Sequence, residues 1–246
     1  MNPIKHLPNF ITTLNVLCGS LATVMVLNGD PLSAAFLVLL GAVFDFADGF
    51  VARLVKATSN IGKELDSLAD MVTFGLVPGL ILLHYLVDST GWHIGGIPGF
   101  LEHPLLLTPM LVPMFAALRL AKFNVDARQS ESFRGLPTPA SALWVISIPL
   151  IIEYMPYHIM WNPDNVIVDR WFLIGSAIGL SVLMVSGIPL MAMKFKHFGW
   201  HGNRSRYVFL AVSFILLILL QPLAIPIILS LYLIISIANN LFSKAK

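Results

Sequence analysis

Residues 45–70 read DFADGFVARLVKATSNIGKELDSLAD and carry four aspartates in two pairs, Asp45 with Asp48 and Asp66 with Asp70. The residues on either side are almost all apolar. In a helix each residue advances by about 100°. Asp48 then falls about 60° from Asp45 on one side, Gly49 about 40° away on the other, and Ala52 between them. On the next segment Gly62, Asp66 and Asp70 stand at i, i+4 and i+8, again on one face. Two helices that turn these faces toward each other enclose a pocket with four carboxylates. Carboxylates so close together in apolar surroundings repel, and they stay protonated unless a cation offsets their desolvation. Oxygen-only ligands favour a hard divalent ion, magnesium, manganese or calcium, over zinc or copper. Four carboxylates suffice for two such ions. The glycines leave room for a ligand against the backbone, and Arg53 offers a fork for phosphate. One aspartate alone would be read as a solvated surface group. Four in register within 26 residues of so apolar a chain are costly and mark function.

The 246-residue chain is 57% hydrophobic and only 11% charged, against about 25% charged in a soluble domain. No soluble fold of this length hides so much apolar surface, so the chain reads as an all-α integral membrane protein. Cys18, the single cysteine, excludes an internal disulfide and packs in the first span. The seven histidines are scattered, none at metal spacing, and read as interfacial groups. The apolar run near the N-terminus continues without an Ala-x-Ala site into a second span, unlike a cleaved signal peptide. No nucleic-acid partner is indicated.

About eight spans are expected, near 9–27, 32–56, 60–87, 104–120, 137–154, 171–193, 207–220 and 223–242. Asn28-Gly29-Asp30-Pro31 is a turn by its residue types, and Thr58-Ser59-Asn60 is a polar break where a helix starts. Gly75 and Pro78 are expected to kink the third span. Residues 88–103 read as a polar loop with Trp92 as an interface anchor, and Trp161 and Pro163 stand in the loop after the fifth span. With the N-terminus inside, every Lys and Arg except Arg170 falls on one side of the membrane. By the positive-inside rule that side is cytoplasmic, both termini included. The aspartate pairs open on the same side, so a nucleotide substrate arrives from the cytosol while a lipid tail stays in the bilayer. The chain divides into a transmembrane core over 1–200 and a C-terminal helix pair over 201–246.

Asp45-x-x-Asp48-Gly49-x-x-Ala52-Arg53, then Gly62, Asp66 and Asp70, resembles the signature of the CDP-alcohol phosphotransferases at every position. FRGLPTPASA at 133–142 and GKELDSLADMVTFG at 62–75 resemble the bacterial membrane-bound phosphatidylserine synthases within that family. The final pair of spans, beyond the usual six, agrees. The resemblance implies transfer of a phosphatidyl group from CDP-diacylglycerol to L-serine, in the cytoplasmic (inner) membrane, by a homodimer surrounded by membrane lipids. It implies two divalent cations, Mg2+ or Mn2+ with Ca2+ as a structural substitute, on Asp45, Asp48, Asp66 and Asp70. Asp70 doubles as general base. Gly49, Ala52, Arg53 and Gly62 form the cytidine and phosphate cradle. Asn9 and Thr12 either help to line that pocket or, in the case of Asn9, simply cap the first helix.

Arg119, Lys122 and Arg134 are the expected binders of lipid phosphate or of the acceptor's carboxylate. Arg134 is favoured, because Gly135 and Pro137 can hold its loop rigidly over the cavity. Another alcohol, glycerol 3-phosphate or an inositol phosphate, stands as the alternative acceptor. From another class, a divalent-cation transporter would place its aspartates mid-membrane and show broken helices in symmetric halves. A membrane scaffold would need no carboxylates in register.

Overall fold

Helix α1 (Leu7–Leu27) runs into Asn28 and Gly29, where φ of +79° reverses the chain. Asp30 then caps α2 (Pro31–Leu54) by accepting a 2.9 Å hydrogen bond from the Ser33 amide, and Pro31 occupies the first turn, where no amide is needed. The two helices return along each other through small residues. Cys18, Gly19 and Ala22 on α1 and Ala34, Ala35, Val38 and Gly41 on α2 are all buried. Small side chains let backbones approach closely where hydrocarbon surroundings give helices no other reason to associate.

The computed structural model describes residues 6–57, 59–92, 94–125, 134–155, 164–190 and 204–244. Regular structure among the described residues is helical, apart from one isolated bridge between Arg134 and Pro189. Lys5, Arg128, Trp161, Pro163, Lys194, Lys196 and Lys246, which entered the span and charge assignments, lie outside the described residues.

Helix α3 (Asn60–Asp70) starts at the polar break. Ser59 is extended, and its hydroxyl accepts a 3.0 Å hydrogen bond from the Gly62 amide. The helix then widens into a π-helical turn over Met71–Leu76, closed by Val77 N–H donating to the Val72 carbonyl, and resumes as α4 (Val77–Thr90). The cause is local. Pro78 has no amide and its ring conflicts with the carbonyl four residues back, so the preceding turn opens. The expected kink is therefore a π turn. It packs into the α1–α2 pair: a Cβ on Gly41 would sit 2.7 Å from Thr73 Cγ2 and 2.9 Å from Asn15 Oδ1. Thr73 Oγ1 donates to the Asn15 carbonyl at 3.1 Å.

Part of the segment expected as a loop at 88–103 is helical. A short α5 (Gly96–Glu102) follows Gly91, and Trp92 stacks on His103 with ring centroids 4.4 Å apart. A 3-10 segment (Pro104–Met110) leads into α6 (Leu111–Val125). Lys122 and Asn124 thus lie on a helix instead of in a basic loop. Further on come α7 (Thr138–Tyr154), a single turn α8 (Asp164–Ile167) and α9 (Arg170–Val185). Helix α9 stops well before the expected Met193. Ser186 is extended, and the stretch to Pro189 is held by backbone hydrogen bonds of 2.9 Å from Gly135 N–H to the Ile188 carbonyl and from Leu136 N–H to the Leu183 carbonyl. Only glycine fits at 135: φ is +76°, and a Cβ would lie 2.5 Å from the Met184 carbonyl oxygen.

The chain closes with α10 (Arg204–Leu220), a 3-10 turn at Gln221–Leu223 and α11 (Ala224–Lys244). Phe209 and Tyr232, on opposite sides of that turn, have ring centroids 5.9 Å apart, so the two helices form a hairpin. By length and composition five described stretches can cross a membrane: 7–27, 31–54, 60–90, 104–125 and 206–238. Helices α7 and α9 are apolar but shorter, with 17 and 16 residues.

Candidate active site

Asp45 and Asp48 sit in the second half of α2, and Asp66 and Asp70 on the face of α3 that meets them. Each of Asp45, Asp48 and Asp66 offers one carboxylate oxygen to a group whose members all lie within 4.8 Å of one another. Asp45 is also within hydrogen-bonding reach of both Asp66 and Asp70. Thr12 of α1 orients the second aspartate: its hydroxyl donates to Asp48 Oδ2 at 2.5 Å. Asp70 is buried, and its Oδ1 has no hydrogen-bond partner. The charge of Arg119 of α6 acts on Asp70, and its guanidinium donates to Thr138 Oγ1 at 2.9 Å. Among the described residues no Lys or Arg forms an ion pair with any of the four aspartates. Three converging carboxylates without a paired cation, and a fourth with an orphaned oxygen, are the donor set a hard divalent ion requires.

A cavity of about 500 Å³ opens from this cluster. Asn9 and Thr12 line it from α1, Asp45, Asp48, Gly49 and Ala52 from α2, and Gly62, Lys63 and Asp66 from α3. Glycine is required at one of these positions. A Cβ on Gly62 would lie 2.9 Å from Asn9 Oδ1, whereas one on Gly49 would project into open space. Asn9 is not the helix cap, because α1 begins two residues earlier and His6 holds the cap position.

The other expected residues are spread more widely. Arg53 is exposed and folds back on its own helix, Nε donating to the Gly49 carbonyl at 2.9 Å. Lys122 is exposed on α6. Gly135 does hold the Arg134 segment, but against the end of α9, with Arg134 paired to Pro189 and outside the cavity lining. None of the three cations expected to meet the acceptor lines the cavity, and Arg119 is the one whose charge acts on Asp70.

Two further groups escaped attention in the sequence. Asn15 is fully buried, and both polar atoms of its amide lack a partner. Its signal was the recurrence Asn9, Thr12, Asn15, polar at every third position of an apolar helix. Asn124 ties α6 to α3: its carbonyl accepts from Lys63 Nζ and its amide donates to Ser67 Oγ, both at 2.9 Å.

Residues 5–182 match the family described as CDP-alcohol phosphatidyltransferase. The chain belongs to that family. A CDP-diacylglycerol–serine O-phosphatidyltransferase of Helicobacter pylori is 33% identical over 249 residues, covering 100% of this chain and 95% of its own. One of Bacillus subtilis is 32% identical over 81% of this chain and 94% of its own. An archaetidylserine synthase of Methanothermobacter thermautotrophicus is 32% identical over 58% of each. As a CDP-alcohol phosphatidyltransferase the chain is a multi-pass membrane transferase of phospholipid biosynthesis, and its family generally depends on divalent cations. The family match contains the whole aspartate cluster, the cavity lining and Arg119, and it ends before the α10–α11 hairpin.

Proposed function

We propose that the chain transfers the phosphatidyl group of CDP-diacylglycerol to the hydroxyl of L-serine, giving phosphatidylserine and CMP. The observation that carries the choice of acceptor is the likeness to CDP-diacylglycerol–serine O-phosphatidyltransferases at 32–33% identity. The charge of Arg119 acting on Asp70 agrees with it, a carboxylate to take a hydroxyl proton and a cation to meet an acceptor's carboxylate. A phosphorylated acceptor calls for a denser set of cations, yet Lys63 is the one basic residue among the described lining of the cavity, and its ammonium is engaged by Asn124.

In this proposal Asp45, Asp48 and Asp66 hold two divalent cations, Mg2+ or Mn2+ with Ca2+ as a structural substitute, and Asp70 reaches the second. When bound, such ions neutralise the pyrophosphate and ease deprotonation of a nearby hydroxyl. The chain's own groups do the rest. Gly49, Ala52 and Gly62 let the nucleotide lie against the backbone, with Asn9 and Thr12 at its edge and the terminal amino groups of Arg53 toward its phosphates. Arg119 orients the acceptor. The serine oxygen bonds to the phosphorus that bears diacylglycerol, the bond from that phosphorus to the CMP phosphate oxygen breaks, and Asp70 receives the hydroxyl proton. Purified protein given CDP-diacylglycerol and a panel of alcohols is expected to release CMP with serine at least tenfold faster than with glycerol 3-phosphate or an inositol phosphate. Equal rates would leave serine unsupported.

The proposal extends to topology. Residues 1–200 form the catalytic core and 201–246 an added helix pair, eight spans in all, with both termini and the active site on the cytoplasmic side of the inner membrane, in a homodimer. The aspartates lie within about three helical turns of the polar break between α2 and α3, the stretch that carries Arg53, Lys56 and Lys63, which supports a site on the side of those charges and speaks against a mid-membrane transport path. A cysteine introduced at 121–125 should react with impermeant reagents from the cytoplasmic side only, and one at 160–166 from the other side only.

A further inference from the structure

Two cavities of about 350 and 320 Å³ lie between α7, α9 and α11, and they share Trp144, Phe172 and Ser230. Their lining follows α7 from Ala140 to Ile151, roughly 16 Å at about 1.5 Å per residue. That is about half of the roughly 30 Å hydrocarbon core of a bilayer, the depth of one leaflet. The walls offer almost nothing to a polar ligand. Trp144 Nε1 donates to Ser176 Oγ at 3.4 Å, Ser147 Oγ to the Trp144 carbonyl at 2.6 Å, and Ser230 Oγ to the Pro226 carbonyl at 2.9 Å. On α9, Gly175 and Gly179 lie one turn apart, and a Cβ on either would meet nothing within 4 Å. They leave a trough where side chains would otherwise close the gap. An apolar space of this size excludes water, and here it adjoins a reservoir of hydrocarbon chains.

We propose that this space is a binding slot for one acyl chain of a bilayer phospholipid, and that α11 closes it toward the membrane. The inference goes beyond the proposed reaction and gives the C-terminal hairpin a role, that of a wall for a resident lipid. The slot shares no lining residue with the aspartate cavity, which argues for a lipid other than the substrate.

The test uses the full chain in phosphatidylglycerol vesicles with a trace of phosphatidylcholine that carries a mid-chain diazirine. On illumination the label is expected on Trp144, Phe172 and Leu229, as well as on the exposed Phe214 and Ile218 of α10. Gly175→Leu with Gly179→Leu, which fills the trough, should lower labelling of the three slot residues at least fivefold and leave the α10 labelling unchanged. Leu229→Trp fills the slot from the opposite wall and should lower labelling of Trp144 and Phe172 in the same way should the α9 variant fail to fold. Unlabelled slot residues in the wild type, or labelling indifferent to both variants, would overturn the proposal. Displacement of the label by CDP-diacylglycerol would overturn it too, because the occupant would then be the substrate's own tail. The readout is independent of transfer, so a different acceptor would leave it untouched.

Discussion

Asparagine at Asp45 or at Asp66 is expected to lower CMP release by a factor of about 1000 or more, a loss of roughly 4 kcal/mol of transition-state stabilisation. Each substitution keeps the shape of the side chain and removes one of three oxygens that converge within 4.8 Å. Asp45 should be the more sensitive, because it also touches Asp70. Excess EDTA should abolish activity in the wild type, and manganese or magnesium should restore it. A second readout separates ion binding from chemistry. The ion binds the folded site and not the unfolded chain, so it should raise the melting temperature of the wild type in detergent. That rise should vanish in Asp45→Asn. The ion-free variant itself should melt at or above the wild type, since one charge has left a mutually repelling group. Full activity in EDTA would remove the metal assignment, and an unfolded Asp45→Asn would make the aspartate structural.

Arg119→Ala should raise the serine KM by roughly 30- to 1000-fold, as losing one partner of a charge-assisted pair costs about 2 to 4 kcal/mol. Its effect on CDP-diacylglycerol should be much smaller. Arg119 also packs over the Phe123 ring and bonds to Thr138, so Arg119→Lys serves as a control that keeps the charge and loses the fork. Arg134→Ala, exposed and paired to Pro189 outside the cavity, should change either KM less than threefold. Equal weakening of both substrates by Arg119→Ala would reassign it to the shared phosphate. The reverse order of the two arginines would return the acceptor to the Arg134 loop.

The carboxylate cluster was legible in the sequence because a helix repeats its faces at fixed spacing, and Asp45, Asp48 and Asp66 meet as that spacing requires. The turn before α2 and the start of α3 were legible for the same local reason: Asp30 and Ser59 satisfy amides three residues away. What depends on distant contacts was not. The apolar run of the sixth span continues to Met193, and nothing within it announces that the 134–136 segment captures the backbone from Leu183 to Ile188. Gly135 and Pro137 told of a rigid loop but not of where it docks, and so pointed to Arg134 ahead of Arg119. Helix α5 was hidden by its glycines and proline, which read as loop. Asn15 was passed over because a single buried amide in a span resembles any other small polar group until its neighbours are known.

The π turn after Asp70 acts as a phase shifter. Relative to a plain α-helix it lets in about one additional residue, worth roughly 100° of rotation. Upstream, the helix aims Asp66 and Asp70 at the carboxylates of α2. Downstream, the same rod aims Val77, Ile81 and Leu82 into the core. A plain α-helix would turn the downstream half by about that angle relative to the upstream one. The half that carries Asp66 and Asp70 and the half that packs in the core are thereby clocked independently. A family member could re-tune the angle between its carboxylates and its bundle by lengthening or shortening this one turn, with every side chain in either half left unchanged.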